Sequence, residues 1–223
     1  MPQVNIFRWR PGLGWLVFSG GGAVTSEDVQ SIEASVLSHT HSQGPLAYIW
    51  AAGDIEAADY HMDALREMGA RTGYLVDILT EAEDTLQRQL AEAGVIILGD
   101  GPRVPMLYDA LGGVVEQTLE SAYERGATIY AVGQSAALLG SYVWTGQQLV
   151  PGRGWLQHAL IWPGYAAEEH ADELRTRLLQ MPAGYGLGLG TGAALALGPR
   201  GDVEVWGSTA ITVSLGYGPQ EEE

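Results

Sequence analysis

The stretch Ile129-Tyr130-Ala131-Val132-Gly133-Gln134-Ser135-Ala136-Ala137-Leu138-Leu139-Gly140 runs from an apolar segment through Gly-x-Ser into an Ala/Leu run. A strand that bends sharply into a helix at such a motif presents the serine hydroxyl at a sheet edge, next to backbone N–H groups that favour negative charge. The corresponding chemistry is acyl transfer, with Ser135 as candidate nucleophile. The plainer reading is a serine that caps a helix. A second loop, Gly99-Asp100-Gly101-Pro102, also follows an apolar run, and Gly101 lies 34 positions before Ser135. Two such loops can lie side by side in a parallel sheet. The N–H of Asp100 or Gly101, with that of Ala136, would then face an oxyanion. Pro102 has no N–H to give.

A serine hydroxyl needs a base. His170 lies 35 positions after Ser135, flanked by Glu168, Glu169 and Asp172. It is the candidate base, against the reading of a solvent-facing histidine in an acidic turn. His158 opens an apolar run and suits packing or capping. His39 and His41 stand two apart and, with His61, could be pictured as metal ligands, but nothing in their spacing fixes a geometry, and a surface role fits better. Gly20-Gly21-Gly22-Ala23 lacks dinucleotide-binding spacing and suits a tight turn. No metal and no cofactor is expected.

These loops need a scaffold. Short, nearly continuous apolar runs occur at Trp15–Phe18, Leu46–Trp50, Tyr74–Ile78, Val95–Leu98 and Thr128–Val132. Such runs suit strands covered on both faces. Helical stripes separate them. Thr25–Asp28 and Thr80–Glu83 have capping-box spacing. One long stripe runs through Val104, Leu107, Leu111, Val114 and Ala122. The alternation predicts an α/β fold, a doubly wound, mostly parallel sheet with flanking helices, whose ligands bind at the carboxyl ends of the strands. After Gly140, His158–Trp162 reads as a strand and Glu168–Gln180 as a helix. Ala193–Leu197, Val203–Trp206 and Ala210–Leu215 read as a short antiparallel C-terminal meander. Gly184–Gly192, with glycine at alternate positions, reads only as a local bias. One domain over 1–223 is expected.

The chain has 223 residues, no cysteine, 11 Arg, no Lys and 27 acidic residues, for a net charge of −16. Disulfides, zinc–thiolate sites, cysteine nucleophiles, Schiff-base lysines and P-loop lysines are excluded. So acidic a chain repels nucleic acid and anionic membranes. Met1–Arg10 has no uninterrupted apolar core and no run is long enough to span a bilayer, so a cytoplasmic location is expected. The acidic end Gln220–Glu223 reads as a solvated terminus.

The layout resembles the dipeptidase E and cyanophycinase family of serine peptidases, whose fold is like that of class I glutamine amidotransferases. Leu16–Gly22 is similar to the family's first strand and glycine turn, and Val95–Gly101 to its oxyanion strand and loop. Gly133-Gln134-Ser135-Ala136-Ala137 resembles its Gly-x-Ser-Ala-Gly elbow, and Arg175–Leu179 its Arg-rich helix. Gly186–Leu189 and Ala193–Leu195 are similar to its Gly-x-Gly-Ile run and the strand after it.

The resemblance implies a serine hydrolase of small peptides or acidic, Asp-like substrates, with Arg103 or Arg153 reading a carboxylate. The departures matter as much. The family's histidine position holds Gly164, its following acidic position Gly190-Thr191, and the second glycine of its elbow Ala137; the oxyanion loop reads Gly-Asp-Gly. A second expectation therefore stands beside the first: a catalytically impaired relative that keeps the pocket for a ligand or a subunit contact. The seven Trp residues motivate a third, a component of a homo-oligomer.

Overall fold

The computed structural model describes residues 6–181, 184–207 and 211–216. In chain order the elements are β1 Leu16–Ser19, α1 Glu27–His39, β2 Leu46–Ile49, α2 Ile55–Glu67, β3 Gly73–Val76, α3 Glu83–Glu92, β4 Val95–Leu98, α4 Val104–Ala110, α5 Val114–Glu124 and β5 Thr128–Val132. There follow α6 Gln134–Ala137, β6 Gly140–Trp144, β7 Leu149–Pro151, β8 Leu156–Pro163, α7 Ala167–Leu178, β9 Tyr185–Leu189, β10 Ala193–Leu197, β11 Val203–Gly207 and β12 Ile211–Leu215. Among the described residues no helix is long and apolar enough to cross a membrane.

A seven-stranded sheet has the order β11-β10-β1-β5-β4-β2-β3. The five strands β1, β5, β4, β2 and β3 run parallel, and β10 and β11 extend the sheet antiparallel. Along β1, β2, β4, β5 and β10 apolarity is nearly continuous because both faces are covered. Leu16, Phe18, Ile96, Leu98, Ile129 and Ala131 pack with α3 and α5, while Val17, Val95, Ile97 and Tyr130 pack with α1 and α2. Alternating side chains thus enter two separate cores. The connections leaving β2 and β4 run in opposite directions across the sheet. In open α/β sheets such a reversal is where ligands bind, at the carboxyl ends of the strands. The loop after β4 lies there against the loop after β2: Gly99 N donates to Ile49 O and Arg103 N to Ala52 O.

The last three strands do not form one meander. β10 and β11 pair antiparallel, but β12 joins a second sheet of order β12-β9-β8-β6-β7. The glycine-alternating stretch is the reason. Tyr185–Leu189 is a fully buried strand. A Cβ at Gly186 would stand 2.7 Å from Leu174 Cδ1, and one at Gly188 would stand 2.5 Å from the Tyr165 ring. Glycine there lets α7 and Tyr165 lie on the backbone, and β9 then offers β12 an edge.

Two local expectations also change. The stripe from Val104 to Ala122 is two helices, broken at Gly112-Gly113, where Gly113 has φ +63°. Thr80 caps no helix. Its hydroxyl donates to Asp77 Oδ2, in a turn that ends β3 at Val76, and α3 starts at Glu83. At the other candidate box the cap is one residue later than the Thr25–Asp28 spacing implies: Ser26 caps α1 by accepting from Val29 N. Ala210, expected to open the last strand, lies outside the described residues, as do Met1–Asn5 of the leader reading and the acidic end Gln220–Glu223.

Candidate active site

The bend after β5 falls on Gly133, with φ +55° and ψ −132°. That is a strained conformation, tolerated by glycine and costly for other residues. Ser135 lies two residues later, inside α6. It is fully buried, and its Oγ donates to Gly99 O at 2.5 Å. The expectation of a hydroxyl presented at the sheet rim is corrected: the chain bends two residues before the serine. Ala131 and Ser135, both fully buried, are the small residues flanking the bend.

Asp100 stands where an elbow side chain would project. A Cβ at Gly133 would come within 1.9 Å of Asp100 Oδ2. Asp100 Oδ1 accepts from Gly101 N at 2.8 Å and from Gln134 N at 2.9 Å. Those two amides are the donors an oxyanion would use at this elbow, and the protein's own carboxylate holds both. Ala136 N, expected as a donor, is instead given to Gly133 O at 2.9 Å. The Asp100 residue is exposed at its edge. Packing of its carboxyl against backbone desolvates it and raises its pKa above the ordinary carboxylate value, and the two amide hydrogen bonds oppose that rise.

The other positions implied by the family resemblance gather at the same place and carry no catalytic side chain. Gly164 N donates to Gly20 O at 3.1 Å, and Gly192 N to Gly21 O at 2.9 Å. A Cβ at Gly20 would strike Gly190 O at 2.1 Å, and one at Gly21 would stand 3.2 Å from Gly133 Cα. Glycine thus occupies positions 133, 164 and 190 around the Gly20–Gly22 turn.

No family model and no curated relative matches the chain. Solved structures do. A peptidase from an acI-B1 Actinobacterium superposes with a TM-score of 0.73 at 17% identity, over 92% of this chain and 92% of that one. A Listeria monocytogenes EGD-e protein provisionally named peptidase E gives 0.67 at 11% identity, over 88% of this chain and 99% of that one. This chain has the peptidase E fold.

Within this peptidase E fold His170 does not reach the elbow serine. Its Nδ1 accepts from Ala166 N at 2.9 Å, closing the first turn of α7, and its ring lies beside Trp162 and Tyr165. Ser135 and His170 share no hydrogen bond. The candidate arginines are also occupied. Arg153 donates to Tyr108 O, pairs with Glu116 at 3.4 Å and lies over the Tyr108 ring. Arg103 lies over the Trp50 ring.

A cavity of about 600 Å³ opens beside the elbow, between α4 and the β6–β7 hairpin, lined by Gly101, Gln134, Ala137, Tyr108, Trp144 and Val150 among others. A smaller one of about 320 Å³ shares Gln134, Ala137, Trp144 and Thr145 with it. Both sizes suit small-molecule sites. Little in the residue pattern points to this pocket, because β6 and β7 are irregular and half exposed.

The three histidines pictured as metal ligands are dispersed. His39 sits at the end of α1 between Trp15 and Trp206. His61 is buried on α2. Its Nε2 donates to the fully buried Glu33 Oε1, and its Nδ1 pairs with the Tyr48 hydroxyl at 3.0 Å. Burial, then the Glu33 and Asp100 charges, hold the Tyr48 phenol well above its ordinary pKa. The Tyr48 ring fills the space where Gly99 would carry a Cβ. In the sequence, Ala57, His61, Ala64, Leu65 and Met68 form a helical stripe that suits this network and reads equally as core.

Proposed function

We propose that this chain is a relative of peptidase E-type hydrolases that has lost the acyl-transfer machinery and uses the pocket beside its elbow to bind a small molecule. The observation that carries the reading is glycine at position 133, with the Asp100 carboxylate seated on the two amides of the bend. A hydrolase of this fold needs a nucleophile at the strained residue, a base within about 3 Å of it, and free N–H donors. At the strained residue there is no side chain at all. Ser135 is two residues away, turned inward, and its proton is committed to Gly99 O. A carbonyl oxygen arriving at Gly101 N and Gln134 N would meet a carboxylate already bound there, and repulsion would oppose developing negative charge.

The pocket itself is retained. Its walls come from α4, α6 and the β6–β7 hairpin, all anchored in the core. The test is turnover of Asp-X dipeptides and of a cyanophycin-like polymer by the wild type and by Ser135→Ala. Both proteins are expected to match the buffer blank. Hydrolysis by the wild type that Ser135→Ala abolishes would overturn the proposal.

A further inference from the structure

We infer that the ligand of the elbow pocket is an apolar amine, a cation with an aromatic or aliphatic body, and not the acidic compound implied by the family resemblance. The inference rests on the pocket reading above and adds the ligand's charge. Three observations support it.

The first is a fixed carboxylate bound to the backbone of the pocket wall. Asp100 binds the amides of Gly101 and Gln134, two residues of the pocket wall, through Oδ1 alone. Oδ2 is turned toward Gly133 and the Gly21 turn, with no side chain between them. A second carboxylate, Asp109, is exposed on the same wall. Among the described residues neither acid belongs to an ion pair.

The second is that no cationic side chain lines this cavity. The nearby arginines are used elsewhere. Arg153 is held by Glu116 and Tyr108, Arg103 lies over Trp50, and Arg177 covers one face of Trp144 while pairing with Glu173 at 3.4 Å. A ligand carboxylate would meet two acids, no partner and a chain of net charge −16, so Coulomb repulsion would exclude it.

The third is the apolar lining. Val104, Leu138, Val143 and Val150 give the cavity its walls, with Trp144 and Tyr108 at its sides. An apolar body would displace water from these surfaces, and an ammonium would meet the lining Asp109 carboxylate and the field of Asp100, which is held on two amides of the wall.

The experiment uses three probes with one phenyl body and different charge: 2-phenylethylamine, 2-phenylethanol and 3-phenylpropionate. Each is titrated into the full chain at neutral pH and low salt, following the backbone amide signals of Gly101, Gln134 and Ala137 by NMR. The amine is expected to bind about five- to tenfold tighter than the alcohol, the range of one partly exposed charge-assisted contact, and the acid is expected to bind more weakly than the alcohol. Asp100→Asn keeps an oxygen for the two amides and should reduce the amine's advantage, and Asp100→Asn combined with Asp109→Asn should make amine and alcohol equal. Raising the salt should shrink the amine's advantage in the wild type, a readout that needs no variant to fold. Alcohol binding at these amides with no preference for the amine would overturn the inference and leave the pocket reading intact. If none of the three probes shifts these amides at millimolar concentration, both fail. Val150→Trp, which fills the cavity from an exposed hairpin, should abolish binding of all the probes. Persistence of binding in that variant would also overturn the assignment.

Discussion

The loop after β4 separates two regions. On one side Gly99 O receives the Ser135 hydroxyl and Asp100 leans over Gly133. On the other the Tyr48 ring lies against Gly99, with His61 and Glu33 behind it. The first region has a strained backbone at Gly133, partial exposure and two amides held by the Asp100 carboxylate. The second has an acid, an imidazole and a hydroxyl in series, and is sealed in the core between β2, α1 and α2. Identical residue types are reagents in a cleft and struts in a core. What separates them is access to substrate and a backbone that presents them. A carboxylate–histidine–hydroxyl series is therefore weak evidence of catalysis until its exposure is known.

The contrast can be broken from either side. The largest effect is expected at the buried series. His61→Ala leaves the fully buried Glu33 carboxylate without its partner and should cost about 3–5 kcal/mol of unfolding free energy, the range for breaking a buried pair. Urea denaturation measures it. A loss below about 1 kcal/mol would mean that the series is not a structural support. Next is Gly133→Ala, which adds a Cβ at a positive φ and against Asp100 Oδ2. A loss of about 1–3 kcal/mol is expected. In an Asp100→Ala background part of that loss should disappear, with a coupling of at least about 1 kcal/mol. Strict additivity would contradict the placement of Asp100 over the bend.

Smaller effects sharpen the elbow side. Ser135→Ala removes one buried hydrogen bond and should cost about 1 kcal/mol, with no change in ligand binding. Asp100→Asn tests the carboxyl's environment through pH. Its pKa in the folded protein is raised, so the folded state binds a proton more readily than the unfolded chain. Wild-type stability should then fall as pH rises from the ordinary carboxylate value through the raised one. The Asn variant lacks that fall, so its stability relative to wild type should grow across the same interval and level off above it. A difference independent of pH, measured by thermal unfolding, would contradict the desolvation of Asp100.

Much of this was legible in the residues. The apolar runs at 15–18, 46–50, 74–78, 95–98 and 128–132 announced a sheet covered on both faces, and placed the loops at 99–101 and 133–135 at the same end of it. The motif itself misled by two positions. In Gly-Gln-Ser the serine is the chemically obvious residue, but the backbone chooses where to bend by steric cost, and glycine bears a positive φ at less cost than serine. Once Gly133 takes the bend, Ser135 falls on the buried side of the first helical turn. Asp100 read only as a backbone donor, because nothing local shows that its side chain turns back onto the next loop. The strand Tyr185–Leu189 was hidden for a related reason. Its glycines carry no apolar signal, and their use is to receive Leu174 and Tyr165 from another element. In each case a long-range contact fixed what the local pattern left open.

The central claim is that the bend falls on Gly133 and leaves no activated hydroxyl at the elbow. It is tested most directly by treating the folded protein with a fluorophosphonate probe, beside an active serine hydrolase, and reading the peptide that contains Ser135 by mass spectrometry. The account predicts an unmodified Ser135 under conditions that label the active enzyme fully. A stoichiometric adduct on Ser135 would contradict it.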